Sequence, residues 1–276
     1  MMASDASPSA AARAEAGQIL VRGVNFSFGN RDAPVIQNMN FNIKSGEFFV
    51  LLGPSGCGKS TVLNLVAGFE RPSNGEVLAG GRLVEGAGRD RIVIFQDSDS
   101  LYGWLSVVDN VAFPLRVAGV SRNDRHNRAI AALKLVGLRG HEAKYPGELS
   151  GGMKQRTQLA RALVLDSPIL LMDEPFAALD AQTRSILQDE LVQLSIQMRR
   201  TVLFITHDIG EAILLGDRVG VMRAGPGSTM KEEFEITLPR PRRRSSVEFG
   251  ELYERIHRNI SDEVQSALRR EDSLLA

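Results

Sequence analysis

Cysteine is almost missing from this chain. Cys57 stands alone, so an intramolecular disulfide is impossible and a zinc cluster lacks its thiolates. No stretch approaches the ~18 consecutive apolar residues that a membrane-spanning helix requires. An excess of one charge sign is absent too. Thirty-three basic residues meet thirty-three acidic ones, which removes any bulk attraction to nucleic acid or to an anionic membrane surface. The first seventeen residues, Met1 to Gly17, are rich in Ala and Ser, with neither an apolar core segment nor a basic cluster ahead of one. They are expected to form a disordered tail on a cytosolic protein and not a secretory signal.

What is present is an ordinary globular composition, 43% hydrophobic and 24% charged over 276 residues, long enough to build a core without covalent staples. Ile19 to Phe28 and Met39 to Ile43 read as strands. Phe48 to Leu52 is short and continuously apolar, as a strand buried on both faces should be. Helical spacing follows from Thr61 to Ala67, then a Gly-rich region with short β segments, then a strand from Arg91 to Phe95. From Trp104 the pattern turns helical, and a helical insertion is expected over about 104–160. Beyond it, a helix from Lys154 to Leu165, a buried strand from Ile169 to Met172, a helix from Thr183 to Met198 and a strand from Thr201 to Ile205 alternate as in a parallel α/β sheet. The main domain is expected to span 18–238. Residues 239–276 then form a basic linker, Pro239 to Arg244, read as solvated, and a helix whose stripe of Leu252, Ile256, Ile260, Val264 and Leu268 should dock on the body.

Gly53-Pro54-Ser55-Gly56-Cys57-Gly58-Lys59-Ser60-Thr61 matches G-x-x-x-x-G-K-[ST], with an apolar strand before it and a helix after it. Glycines let backbone N–H groups wrap phosphate oxygens without Cβ clashes. The helix N-terminus adds its dipole, Lys59 a positive charge, and Ser60 a hydroxyl able to ligate Mg²⁺. Cys57 sits inside this loop as a small spacer, with the helix dipole and Lys59 both acting to lower its pKa. A second half-site follows Ile169 to Met172, where Asp173 and Glu174 emerge at the C-terminal end of a buried strand, the edge where open α/β sheets bind ligands. Asp173 is placed to hold Mg²⁺ through water and Glu174 to polarise an attacking water.

Leu149-Ser150-Gly151-Gly152-Met153-Lys154-Gln155-Arg156, taken with the phosphate loop, resembles the signature of the ATP-binding-cassette (ABC) ATPases. Gln96 after a strand, Asp180 after Ala178-Leu179 and His207 after Thr201 to Thr206 complete the family's set in the family's order. The resemblance covers roughly 19 to 225. It implies a P-loop NTPase cassette: a mixed, largely parallel α/β sheet core, an antiparallel β subdomain and an inserted helical subdomain. It further implies that Ser150, Gly151 and Gly152 cap the γ-phosphate of ATP held by a second copy, two copies closing head to tail. Gln96 matches the residue that touches Mg²⁺ and the attacking water, His207 the one that contacts the γ-phosphate, and Asp180 a loop crossing the dimer interface. Phe28 matches the adenine-stacking position, although Phe26 or Phe28 could instead belong to the core. Trp104 either lines the groove that receives permease helices or anchors the core.

Asp173 to Asp180 and Leu238-Pro239-Arg240-Pro241-Arg242 resemble the nitrate/sulfonate/taurine importer branch. That likeness implies transmembrane permease subunits, a periplasmic solute-binding protein, a peripheral position on the cytoplasmic face of the inner membrane and no nucleic-acid partner. An exporter or lipid-trafficking ATPase is the alternative. Translation and DNA-repair members fit poorly, because Lys59 and Ser150 lie in a single cassette without an intervening coiled coil.

Overall fold

The computed structural model describes residues 17–29, 33–95, 100–177 and 179–275. Most of the expected N-terminal tail lies outside them; Gly17, its last residue, is already buried. Ten strands and seven α-helices follow in the described residues: β1 (Ile19–Phe26), β2 (Ile36–Ile43), β3 (Phe48–Leu52), α1 (Lys59–Ala67), β4 (Asn74–Ala79), β5 (Arg82–Leu83), β6 (Arg91–Ile94), α2 (Val107–Val117), α3 (Arg122–Leu135), α4 (Gly151–Leu163), β7 (Ile169–Asp173), α5 (Ala181–Met198), β8 (Thr201–Thr206), α6 (Ile209–Leu215), β9 (Arg218–Met222), β10 (Met230–Glu235) and α7 (Val247–Leu275).

Six strands form one sheet in the order β10-β9-β3-β8-β7-β6, parallel except for β10 at one edge. The other four make an antiparallel sheet, β2-β1-β4-β5. The apolar run Phe48 to Leu52 takes the interior position because it is buried on both faces. Its alternate side chains enter two different cores. Phe48, Val50 and Leu52 pack with the helical side, α2 to α7, while Phe49 and Leu51 pack with α1 and the antiparallel sheet. Each fully buried side chain of this size contributes about 1.5–3 kcal/mol by leaving water, so β3 holds the two layers together.

Serines start the helices of the insertion. Ser106, Ser121 and Ser150 each accept a hydrogen bond from the backbone N–H three residues on, capping α2, α3 and α4. α2, α3 and α4 pack on one another around Val111, Leu115, Ala129, Leu133 and Leu159. At the C-terminus, α7 docks as its stripe predicts: Ile256 is fully buried, and Leu252 and Ile260 pack against the same core. Val264 and Leu268 lie outside the described side chains.

The basic segment is corrected by the structure. Arg242 is a clamp, not a solvated linker. Its guanidinium donates to the carbonyls of Ile213, Leu214 and Gly216 at 2.8, 3.2 and 2.5 Å, and to those of Ile236 and Leu238 at 3.1 Å each. Arg240 binds the Leu215 carbonyl and Asp217 Oδ1 at 2.5 and 2.8 Å. The acceptors from Ile213 to Gly216 are the orphan carbonyls at the negative dipole end of α6, which attract a cation; those of Ile236 and Leu238 belong to the chain after β10. Burial, aided by Arg240, pushes the Arg242 pKa down to about 10, which still leaves it charged near neutrality. Arg243 and Arg244 remain exposed.

Candidate functional site

Parallel pairing brings the chemistry to one edge. Leu52 pairs with Thr206, Asp173 with Ile205 and Ile94 with Met172, so β3, β6, β7 and β8 all end at nearly the same level. The phosphate loop, the Asp173-Glu174 pair and His207 follow directly from three of those ends. Gln96 comes two positions after β6 and lies outside the described residues.

Within the loop, Gly58 has φ +94° and forms the N-cap of α1, a backbone state that favours glycine. At Gly53 a Cβ would stand 2.9 Å from Cys57 Sγ and 3.2 Å from Met222 Cβ. Pro54 is half-buried, and Ser55 and Gly56 face solvent. Lys59 begins α1 and curls back, Nζ donating to the Gly53 and Pro54 carbonyls at 2.8 and 2.9 Å. The ammonium thus lies across the mouth of the loop. Thr61 is buried behind it. Cys57 is buried as well, and burial pushes its thiol pKa up, outweighing the neighbouring Lys59. The expected lowering does not occur: the dipole and the lysine act on a thiol that water cannot reach.

Opposite the loop, the Ser60 hydroxyl lies beside the Asp173 carboxylate. Burial raises the Asp173 pKa, with the adjacent Glu174 adding to the effect and Ser60 and Lys59 opposing it. Glu174 has φ +43°, an uncommon backbone state for a side-chain-bearing residue and a mark of functional sites. Its N–H donates to the Ile205 carbonyl at 3.0 Å, and its Oε2 lies 3.0 Å from His207 Nδ1. The histidine ring is open to solvent, the carboxylate largely enclosed.

Phe28 and Phe26 separate cleanly. Phe26 is buried at the end of β1, while Phe28 is 42% exposed and meets it edge-on, centroids 4.8 Å apart. Phe26 pairs with Ile36, whose Cδ1 abuts Gly58, so the turn carrying Phe28 flanks the phosphate loop. A second group of residues gathers at the start of α4 and α5. Ser150 caps α4 with Gly151 exposed beside it, and a Cβ on Gly152 would sit 3.0 Å from Thr183 Cγ2. Asp180 Oδ1 accepts from the N–H groups of Gln182 and Thr183 at 3.1 and 3.0 Å, capping α5. Those bonds hold its pKa below the ordinary value.

Trp104 is no core anchor: it is 76% exposed, with Tyr102 5.4 Å away. Tyr102 lies beside Phe113 and Arg161 in a cleft of about 300 Å³ between β6, α2 and α4. Several polar residues escaped the sequence reading. Gln155 is buried and donates to the Pro175 carbonyl, tying α4 to the turn after Glu174. Glu211, Thr206 and Gln188 form a buried cluster behind His207. A glutamine in the signature octet was a visible signal for the first; the cluster had none, since Gln188 comes to Thr206 and Glu211 from a different helix.

A phosphate loop on a parallel-sheet edge, facing paired carboxylates and a histidine, defines a P-loop nucleoside-triphosphate hydrolase. Comparison narrows this class. The ABC transporter family model matches residues 36–177. A nitrate import ATP-binding protein of Synechococcus elongatus is 43% identical over 87% of this chain and 89% of its own length. A taurine import ATP-binding protein of Sinorhizobium fredii is 43% identical over 88% of this chain and 91% of its own. A dimeric ATP-binding cassette solved in a post-hydrolysis state with ADP and Pi superposes with a TM-score of 0.70 at 30% identity, covering 80% of this chain and 100% of that one. The chain belongs to the ABC transporter family and is one of its ATP-binding, ATP-hydrolysing subunits. Among the described residues no helix is long and apolar enough to cross a membrane.

Proposed function

We propose that this chain powers an importer of small anions, of the nitrate or taurine/alkanesulfonate kind, by binding and hydrolysing ATP as a head-to-tail homodimer beneath transmembrane permease subunits. A periplasmic solute-binding protein and a peripheral site on the cytoplasmic face of the inner membrane complete the reading. The likeness to nitrate and taurine import subunits over most of both chains supports the solute class, and the dimeric cassette supports the assembly. The exposed Trp104 beside the Tyr102–Phe113 cleft suits a surface that accepts a permease helix.

The observation that carries the mechanism is the 3.0 Å contact between Glu174 and His207 at the mouth of the phosphate loop. Backbone N–H groups from Gly53 to Thr61 cradle the phosphates of ATP, and Lys59 leaves its carbonyl partners to meet the terminal one. Phe28 stacks on adenine, keeping the π-face that a tyrosine would offer. Glu174 orients and polarises the attacking water, while His207, its Nδ1 engaged by that carboxylate, has Nε2 left for the γ-phosphate. Ser150, Gly151 and Gly152 of one copy supply amide donors at a helix N-terminus to the phosphate held by the other, and Asp180 lies at the seam. The Ser60 hydroxyl and the Asp173 carboxylate are adjacent hard oxygen donors, which fits Mg²⁺, an ion that uses one or two protein oxygens plus phosphate and water. Gln96 joins them. A Mg²⁺ ion held by these residues would supply positive charge against that developing on the phosphates.

The test is uptake of labelled nitrate, taurine and an alkanesulfonate in cells lacking this gene, complemented by the wild type or Glu174→Gln. Uptake of one solute restored only by the wild type is the expected result. No restored uptake of any of them removes the anion-importer reading and brings an exporter forward.

A further inference from the structure

Glu211 lies in the first turn of α6, four positions after His207, and is 5% exposed. Its Oε2 accepts from the Thr206 hydroxyl at 2.7 Å and its Oε1 from Gln188 Nε2 at 2.9 Å. Thr206 precedes His207, and its Oγ also accepts the Asp208 N–H at 3.0 Å. Gln188 belongs to α5, the helix that Asp180 caps. A third neighbour comes from the same helix. Arg184 donates from Nη2 to the Leu179 carbonyl at 2.9 Å, next to Asp180. Its Nε faces Glu211 Oε1 at 3.9 Å, beyond hydrogen-bond length, and has no hydrogen-bond partner.

A buried acid whose nearest cation stays out of bonding range is a poor stabilising device, because its desolvation is not offset by a close pair. Burial raises its pKa, against the Thr206 bond. An apolar side chain of similar volume would fill the space at less cost. The arrangement is better suited to transmission. One carboxylate touches the residue before His207, the helix that follows Asp180, and, across an unclosed gap, the arginine that holds the Asp180 loop.

We propose that Glu211 is a positioning residue that links the Asp180 loop to His207, so that engagement of that loop by the second copy draws Arg184 onto Glu211 and braces the histidine in the place it already holds beside Glu174. This rests on the roles proposed above for His207, Glu174 and Asp180. Glu211 is buried and acts through Thr206 and Gln188, its hydrogen-bond partners.

Steady-state ATPase kinetics and thermal melting of the full chain test it, with Glu211→Gln, Thr206→Val, Asp180→Ala and the double variant Glu211→Gln/Asp180→Ala. Glu174→Gln is the control. The expected result is a KM for ATP within about twofold of wild type and a kcat lowered roughly 3- to 30-fold in both Glu211→Gln and Thr206→Val, the range for variants along a coupled network. The double variant should then be no slower than the slower single one, because both break one path. Wild-type kcat in the folded Glu211→Gln and Thr206→Val proteins, or losses that multiply in the double variant, would overturn the proposal. Should Glu211→Gln fail to fold, Thr206→Val alone decides by the same criterion. Turnover retained by Glu174→Gln would show instead that the underlying mechanism is wrong.

Discussion

Glu174 Oε2 lies 3.0 Å from His207 Nδ1, though thirty-three positions separate the two residues. Adjacent parallel strands, β7 and β8, bring them together, and the positive φ of Glu174 turns its carboxylate toward the ring. Glu174→Gln keeps the phosphate cradle and the side-chain size but removes the proposed base. Turnover should fall by at least about 10²-fold, the usual worth of a general base, while ATP binding persists and a closed dimer accumulates. Gel filtration with ATP checks this; a variant that stays monomeric where ATP dimerises a hydrolysis-deficient control would contradict the assignment.

Lys59 Nζ is held by two loop carbonyls, and in the proposed mechanism it leaves them for ATP. Lys59→Ala removes the cation proposed to meet the terminal phosphates. ATP affinity, measured by fluorescent-nucleotide titration, should weaken by at least about tenfold, one charged hydrogen bond's worth, and turnover should vanish. Wild-type ATPase activity in this variant would refute the phosphate-loop role.

The Arg242 clamp predicts a stability loss without a direct role in chemistry. Arg242→Ala leaves carbonyls of α6 and of the chain after β10 without donors, and should cost about 2–3 kcal/mol in denaturant melts. The exposed neighbour supplies the contrast: Arg243→Ala should stay within about 0.5 kcal/mol of wild type. Equal effects would mean that the segment acts through net charge.

Glu47 offers a pH signature. Burial raises its pKa, against a backbone bond from Lys44 and the charge of Arg218, 3.0 Å away. The native state therefore keeps this proton to higher pH than the unfolded chain, whose glutamate titrates near the ordinary value of about 4.3. In the window just above that value the native state binds more protons, so this group's contribution to stability falls as pH rises and is constant once both states have ionised. The stability difference between wild type and Glu47→Gln should decline with pH across that window. A difference that grows with pH would show the Arg218 pair outweighing burial.

Trp104 predicts a separation of activities. Trp104→Ala should leave folding stability within about 0.5 kcal/mol, as an exposed side chain should, and leave the isolated subunit's ATPase rate unchanged. Solute uptake in cells should drop. Unchanged uptake would remove Trp104 from the permease surface.

Much of this molecule is local and was readable for that reason. The phosphate loop and the Asp173-Glu174 pair are contiguous, and their chemistry depends on neighbours in the chain. The strand positions of Phe48 to Leu52 and Ile169 to Met172 follow from unbroken apolar runs. Boundaries were less secure: β2 begins at Ile36 and not Met39, because Ile36 pairs with Phe26 beyond a register shift at which Gln37 and Asn38 stand with exposed side chains. β10 was not foreseen, since Lys231, Glu232 and Glu233 hide an edge strand whose one deeply buried side chain is Phe234.

The sequence alone determined which chemistry is available: a glycine loop with lysine and serine, two carboxylates ending an apolar strand, and the motifs that mark an ABC cassette. Tertiary structure decided which groups meet. Parallel register placed His207 against Glu174, the end of α6 gathered Arg240 and Arg242 out of solvent, burial raised the Cys57 pKa that local charge would have lowered, and α5 met α6 around Glu211. Each of these depends on contacts between residues distant in the chain and on how much water the packing leaves, neither of which a local pattern of residues carries.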